Sequence, residues 1–273
     1  MDRDLHRRYL DAMGVHVWRL RSEPPTGAAE VSGEPGQEPA VPSDHEGAST
    51  FPASAAAETY LGTDRKTRGP SREFGRDAIG AMDWEGLRTA VAACRACRLS
   101  ETRTQTVFGV GDRGADLMII GEAPGADEDR QGEPFVGRAG QLLNLMLAAI
   151  GLGRKQVYIA NILKCRPPGN RDPKPEETVR CEPFLMRQIA LLRPRVLLSV
   201  GRISAQNLLR TDAPIGSLRG RWFEFGPDKT PLRVTYHPAY LLRSPDQKGR
   251  AWEDLVEVAR RLGPTSARTS AGS

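Results

Sequence analysis

Four cysteines and two isolated polar residues that close apolar runs are the side chains of this sequence best placed to do chemistry. The cysteines fall as Cys94-x-x-Cys97, then Cys165 and Cys181, with 67 and 15 residues intervening. A lone C-x-x-C pair serves zinc or a redox couple or arises by chance, but four thiols with no surplus suit a four-sulfur metal site. Spacing does not separate zinc from an iron-sulfur cluster. The polar residues are Asn161, closing VYIAN, and His237, closing RVTYH; a third run, DLMIIG, opens onto the glycine-rich, acidic stretch GEAPGADEDRQGEPFVGRAG. An amide presents a donor and an acceptor to a planar polar edge, and an imidazole can donate a hydrogen bond at neutral pH. A glycine-rich loop entering a helix can cradle an anion, bind a nucleotide or merely turn. This one matches neither a P-loop nor a dinucleotide fingerprint. Taken singly, each of these residues is most often structural.

Their common position is what joins them. DLMIIG (116–121), VYIAN (157–161), VLLSVG (196–201) and RVTYH (233–237) read as buried parallel strands, being short apolar runs bounded by turn residues. Between them GQLLNLMLAAIG sets Leu142, Leu143, Met146, Leu147 and Ile150 on one helical face, and EETVRCEPFLMRQIALL continues the alternation. The pattern predicts an α/β fold, a three-layer α/β/α sandwich around a central parallel sheet. Sites in such sheets collect beyond the carboxyl ends of the strands, where Asn161, His237 and the 121–140 loop all fall.

The rest of the chain divides by composition. Residues 23–80 are rich in Pro, Gly, Ala, Ser and Glu and read as a disordered acidic linker. Ahead of them, residues 1–22 hold Leu5, Tyr9 and Met13 at helical spacing, then Val15, Val17 and Trp18, which reads either as a docking segment (5–18) for a protein partner or as a small helix folding back on the body. Residues 81–263 form the folded domain, and 264–273 a frayed tail. The net charge of +5 conceals a body, residues 65–273, with 34 basic and 23 acidic side chains, a net of +11. Such a surface suits a polyanion such as DNA, and equally reads as a solvated basic face. No apolar run is long enough to span a membrane, and the charged start lacks the apolar core of a signal peptide. A cytoplasmic protein is expected, in which structural disulfides fit poorly because thiols there stay reduced.

GEAPGADEDRQGEPFVGRAGQLLN, YIANILKCRPPGNRDPKPEE and HPAYLLR together resemble the motifs of family 4 uracil-DNA glycosylases, over roughly residues 94–262. The resemblance implies a monofunctional enzyme of base excision repair that flips uracil out of double- or single-stranded DNA and hydrolyses its N-glycosidic bond. It implies that Phe135 stacks on the base, that Asn161 reads the uracil edge, and that His237 donates to a uracil carbonyl as negative charge develops there. Ala123 falls where several related glycosylases carry an aspartate, so the attacking water has no obvious carboxylate. Glu122, Glu128 and Asn170 match polar residues near the family's site, any of which could orient water or stabilise the cationic sugar, with Glu122 the preferred one and Asn170 also expected among the catalytic residues. AYLLRSP resembles the loop that enters the minor groove, with Leu241 or Leu242 filling the vacated stack and Arg243 on phosphate. The four cysteines match the ligands of a 4Fe-4S cluster, which would pin the 162–180 loop to the first helix of the domain. A monomer is expected. The competing reading is a non-catalytic uracil-DNA-binding or polymerase-accessory protein.

Overall fold

The structure, a computed structural model, describes Asp11, Met13 and residues 75–263. Most of the 5–18 segment, the 23–74 stretch and the 264–273 tail lie outside the described residues.

Six strands form one sheet: β1 (Val110–Gly111), β2 (Leu117–Gly121), β3 (Tyr158–Asn161), β4 (Val196–Val200), β5 (Trp222–Phe225) and β6 (Thr230–Thr235), in the order β1-β3-β2-β4-β6-β5. The four central strands are parallel, as expected. The two edges are not: β1 runs antiparallel to β3, and β5 antiparallel to β6. The sheet is therefore mixed, and its last parallel strand ends at Thr235, leaving His237 two residues beyond it.

β2, β3 and β4 are buried along their whole length, so successive side chains feed opposite layers. On one face Leu117, Ile119, Val196 and Leu198 pack against α5 (Arg138–Ala149) and α10 (Lys248–Leu262). On the other, Met118, Ile120, Leu197 and Val234 meet α6 (Pro175–Leu192) and α7 (Arg202–Leu209). This is the three-layer sandwich. A third, smaller cluster joins α1 (Arg76–Ala81), α2 (Trp84–Ala93) and α3 (Leu99–Thr102) to Phe184, Cys165 and Cys181. Asp83 starts α2 by accepting the Gly86 N–H at 2.8 Å. Because α1 buries Ile79 in this cluster, folded structure begins ahead of Ala81, inside the stretch that composition assigns to the linker. Likewise α6 begins at Pro175, so the end of the expected 162–180 loop is helical.

Met13 is 0% exposed and lies in the first core cluster beside the residues of β2 and α5. Met13 itself is thus packed into the body, and its thioether is not available to a partner. Met13→Ala should lower stability by about 2–3 kcal/mol, because a buried methionine is lost and its cavity refills only partly. Urea unfolding monitors this directly. An unchanged midpoint would show that Met13 contributes nothing to the core.

Candidate active site

The in-register pairing of Gly121 with Asn161 brings the end of β2 beside the end of β3. The glycine-rich loop and the asparagine therefore emerge side by side. They open onto a cleft of about 440 Å³ whose walls include Glu122, Ala123, Phe135, Asn161, Asn170, His237 and Arg243. Sheet topology alone gathers these residues, which are scattered along the sequence.

Asn161 is 2% exposed, and its Oδ1 has no hydrogen-bond partner. A buried acceptor left unpaired costs roughly 1–3 kcal/mol, so the site is built for a donor that arrives from outside. Gly121 lies against this oxygen and the Phe135 ring: a Cβ there would stand 2.6 Å from Phe135 Cζ and closer still to Asn161 Oδ1. Only a residue without a side chain fits beneath the two groups.

Phe135 has φ of 55°, a backbone region that a bulky residue enters only when its surroundings impose it. Three sets of contacts impose it. Any side chain at Gly140 would collide with the Phe135 carbonyl. The Arg154 guanidinium donates to the carbonyls of Pro134 and Phe135, the latter at 3.2 Å. Glu128, in α4 (Ala126–Gln131), accepts the N–H of Val136 at 2.9 Å and of Gly137 at 3.1 Å on one oxygen and that of Gly125 at 3.1 Å on the other. With both oxygens engaged by the main chain, Glu128 is a clamp between the two loops. The expectation that it could orient water is corrected accordingly.

His237 is the N-cap of α9 (Pro238–Arg243), and its Nδ1 accepts the Ala239 N–H at 3.1 Å. That bond leaves the ring proton on Nε2. Burial and then the nearby Arg243 cation pull the imidazolium pKa down to about 4, so the ring is neutral at physiological pH. The Phe135 and His237 rings lie 5.6 Å apart at 30°. Glu122 moves the opposite way: burial first, then the Asp172 carboxylate, raise it to about 7, while Arg202 opposes the shift.

The expected minor-groove loop is a helix, and it resolves the two leucines. Leu241 is 0% exposed and belongs to the first core cluster, which removes it from any DNA-facing role. Leu242 is 37% and Tyr240 36% exposed; with Val179 they are the only large apolar side chains exposed among the described residues. Asn170, also at positive φ, accepts the Arg166 Nε–H on its Oδ1 at 2.7 Å. Sequence reasoning passed over Asp172, which lines the cleft and pairs with Arg202 at 2.7 Å, and Tyr240, which stands at the mouth. Asp172 follows Asn170 by two residues in GNRDP, the signal that could have found it.

Behind the cleft the four cysteines line one recess with Arg103 and Lys164. Arg103 Nη1 reaches Cys165 Sγ at 2.9 Å, and the Lys164 N–H reaches Cys181 Sγ at 3.3 Å. All four thiols are free. Burial raises Cys165 to about 11 and Cys181 to about 12, so both stay protonated unless a metal displaces the protons. Among the described residues no group of three or more His, Cys, Asp or Glu is gathered for a single metal ion.

The sequence profile described as the uracil DNA glycosylase superfamily matches residues 108–256, more than half of the chain. A type-4 uracil-DNA glycosylase of Archaeoglobus fulgidus is 44% identical over 179 residues, spanning 63% of this chain and 90% of that protein. The chain belongs to the type-4 uracil-DNA glycosylase family. Another type-4 member, from Pyrobaculum aerophilum, is 41% identical over 64% of this chain and 92% of its own length. A type-5 uracil-DNA glycosylase of Thermus thermophilus is more distant, at 32% identity over 47% of this chain and 73% of that protein. Every residue of the uracil-DNA glycosylase cleft described above lies within the superfamily match, as do Cys165 and Cys181, while Cys94 and Cys97 precede it. No helix among the described residues is long and apolar enough to cross a membrane.

Proposed function

We propose that the chain excises uracil from DNA, hydrolysing the N-glycosidic bond after the nucleotide is extruded into the cleft. The observation that carries this reading is the buried, unpaired Oδ1 of Asn161 over Gly121, with an aromatic ring and a neutral imidazole beside it. Uracil offers an N–H flanked by carbonyls, so Asn161 accepts from the ring N–H and donates to a carbonyl. Cytosine presents the opposite pattern and leaves both groups unmatched. Phe135 provides the face on which the base stacks.

Bond cleavage leaves negative charge on the departing base and positive character on the sugar. His237 meets the first from Nε2–H, a donor worth roughly 3–4 kcal/mol if it acts as an oxyanion-hole group does. Being neutral, it stabilises charge by hydrogen bonding and does not give up its proton. Glu122, in its ionised form, is placed to face the cationic sugar or to orient water. Because its pKa is raised to about 7, the ionised fraction grows as pH rises through neutrality. The excision rate should therefore climb with pH near 7 and, with His237 already neutral above about 4, show no second rise between pH 5 and 6. Glu122→Gln should flatten the profile. A wild-type profile that stays flat from pH 6 to 8 would remove Glu122 from this role.

Leu242 and Tyr240 form the apolar pair that enters the duplex, with Arg243 on the backbone and the basic body supplying general affinity for DNA. The four cysteines suit a 4Fe-4S cluster. The Arg103 guanidinium lies on Cys165 Sγ and the Lys164 N–H on Cys181 Sγ, and a lysine at 1% exposure close to neutral thiols would lack the compensating negative charge that four thiolates on iron provide. Bound there, the cluster cross-links α2, the segment after Asn161 and α6. Anaerobically purified protein should be brown, with about four irons per chain, and Cys165→Ala should be colourless and unstable. A colourless zinc protein of full activity would overturn the assignment. The function itself is tested by uracil release from single- and double-stranded oligonucleotides; tight binding without release would favour the accessory-protein reading.

A further inference from the structure

We propose that Lys164 is a positioning residue that ties the base-reading amide of Asn161 to the four-cysteine site. The proposal rests on the reading of Asn161 as the group that contacts uracil. Lys164 is among the largest fully buried side chains of the protein, and an ammonium so placed is costly unless its donors are satisfied. Its Nζ donates to the main-chain carbonyl of Asn161 at 2.9 Å and to Gln188 Oε1 at 2.6 Å. Gln188, itself fully buried in α6, extends the network through Nε2 to the Phe108 carbonyl at 2.9 Å and Tyr158 Oη at 3.3 Å. Among the described residues no carboxylate pairs with Lys164.

The main chain of the same residue faces the cysteines. Its N–H donates to Cys181 Sγ at 3.3 Å, its carbonyl accepts the Val107 N–H at 2.8 Å, and Cys165 follows directly. Lys164 thus has its side chain on the last carbonyl of β3 and its backbone among the sulfurs. The arrangement matters because Asn161 Oδ1 has no partner of its own to hold it in place. Its orientation is inherited from the backbone at the strand end. Ile162 and Leu163 N–H groups bond the carbonyls of Gly121 and Glu122, both at 3.0 Å, and the Asn161 carbonyl is held by Lys164 Nζ. Without that hold the peptide after Asn161 keeps only the Ile162 N–H bond on one side and can tilt about it, and small misplacements of a reacting group carry large rate penalties.

A role at the sulfurs alone, as counter-charge, would use the same residue differently. The two are separated by a double-mutant cycle of Lys164→Met and Asn161→Ala, read as single-turnover uracil excision, with iron content and affinity for abasic-site DNA measured on each variant. We expect Lys164→Met to keep its iron and its abasic-DNA affinity, to lose excision about 10- to 100-fold, and to cost less than about 3-fold when Asn161 is already alanine. Equal losses in both backgrounds, or a loss of iron in proportion to activity, would overturn the proposal. Near-normal excision by Asn161→Ala alone would instead remove the base-reading role on which it rests. Should Lys164→Met prove insoluble, Gln188→Leu keeps the cation but removes its second acceptor. The same cycle should then give a loss of about 5-fold confined to the Asn161 background, and a loss indifferent to Asn161 counts against the proposal.

Discussion

Asn161→Asp should excise uracil at least about 100-fold more slowly than the wild type. The amide is the only kind of side chain that offers an acceptor and a donor side by side while remaining uncharged at neutral pH. An aspartate keeps the acceptor but replaces the donor with a second oxygen, which faces a uracil carbonyl with nothing to give it. At 2% exposure water cannot repair that mismatch, and any negative charge there opposes the charge that gathers on the departing base. An unpaired or repulsive buried polar group costs about 3 kcal/mol, which is about 100-fold in rate. Single-turnover excision from a uracil oligonucleotide measures the effect. A variant that retains near-normal rates would place Asn161 outside the base contact.

Gly121→Ala should be as severe, by a different route. The added methyl would stand 2.6 Å from Phe135 Cζ and nearer still to Asn161 Oδ1, so one of the three must move. Asn161 is fixed by strand pairing with Gly121 itself, and Phe135 by the Glu128 clamp, the Arg154 bond and the close approach of Gly140. With both backbones held, only the Asn161 amide and the Phe135 ring can turn aside, out of the positions in which they meet the base, and the methyl takes the floor of the base slot. Overpacking costs roughly 1–3 kcal/mol of stability, yet excision should fall further, by about 100-fold, because the base no longer seats between its partners. Affinity for abasic-site DNA, which presents no base, should stay within about 3-fold of wild type. If excision and abasic-DNA binding fall together, the substitution has damaged the domain at large and the slot is not where Gly121 matters.

The central strands and the meeting of Asn161, His237 and the loop after Gly121 were legible in the sequence because both follow from continuity, whereas Glu122 and Phe135 were singled out only by the resemblance. Strands buried on both faces must be apolar throughout, and polar residues placed just after them must meet at one edge. The edges gave no such signal. Val110–Gly111 is too short to form a pattern, and in Trp222–Phe225 partial burial blurs the alternation that a half-exposed strand shows. Leu241 and Leu242 are indistinguishable by composition, and only the phase of a helix that starts at Pro238 sends one inward and the other out. Commitment is equally invisible: whether a carboxylate is free or engaged depends on backbone N–H groups brought from elsewhere, as at Glu128. Lys164 reads in sequence as an ordinary polar residue before a cysteine, and its burial follows only once α6 and the strand-end network close around it.

The rooting of Leu241 in the core has a mechanical consequence. Prying a base from its stack takes a few kilocalories of work, and whichever side of the contact is softer is the side that gives way. Leu242 and Tyr240 are mounted on a short helix whose Leu241, between them, belongs to the same core cluster as Leu142, Met146 and Leu255. On the proposed reading, in which Leu242 and Tyr240 enter the duplex, its load is passed to the first core cluster, and the DNA deforms instead of the wedge. Shortening Leu241, which never meets the nucleic acid, would loosen the fulcrum and be felt at the flipped base.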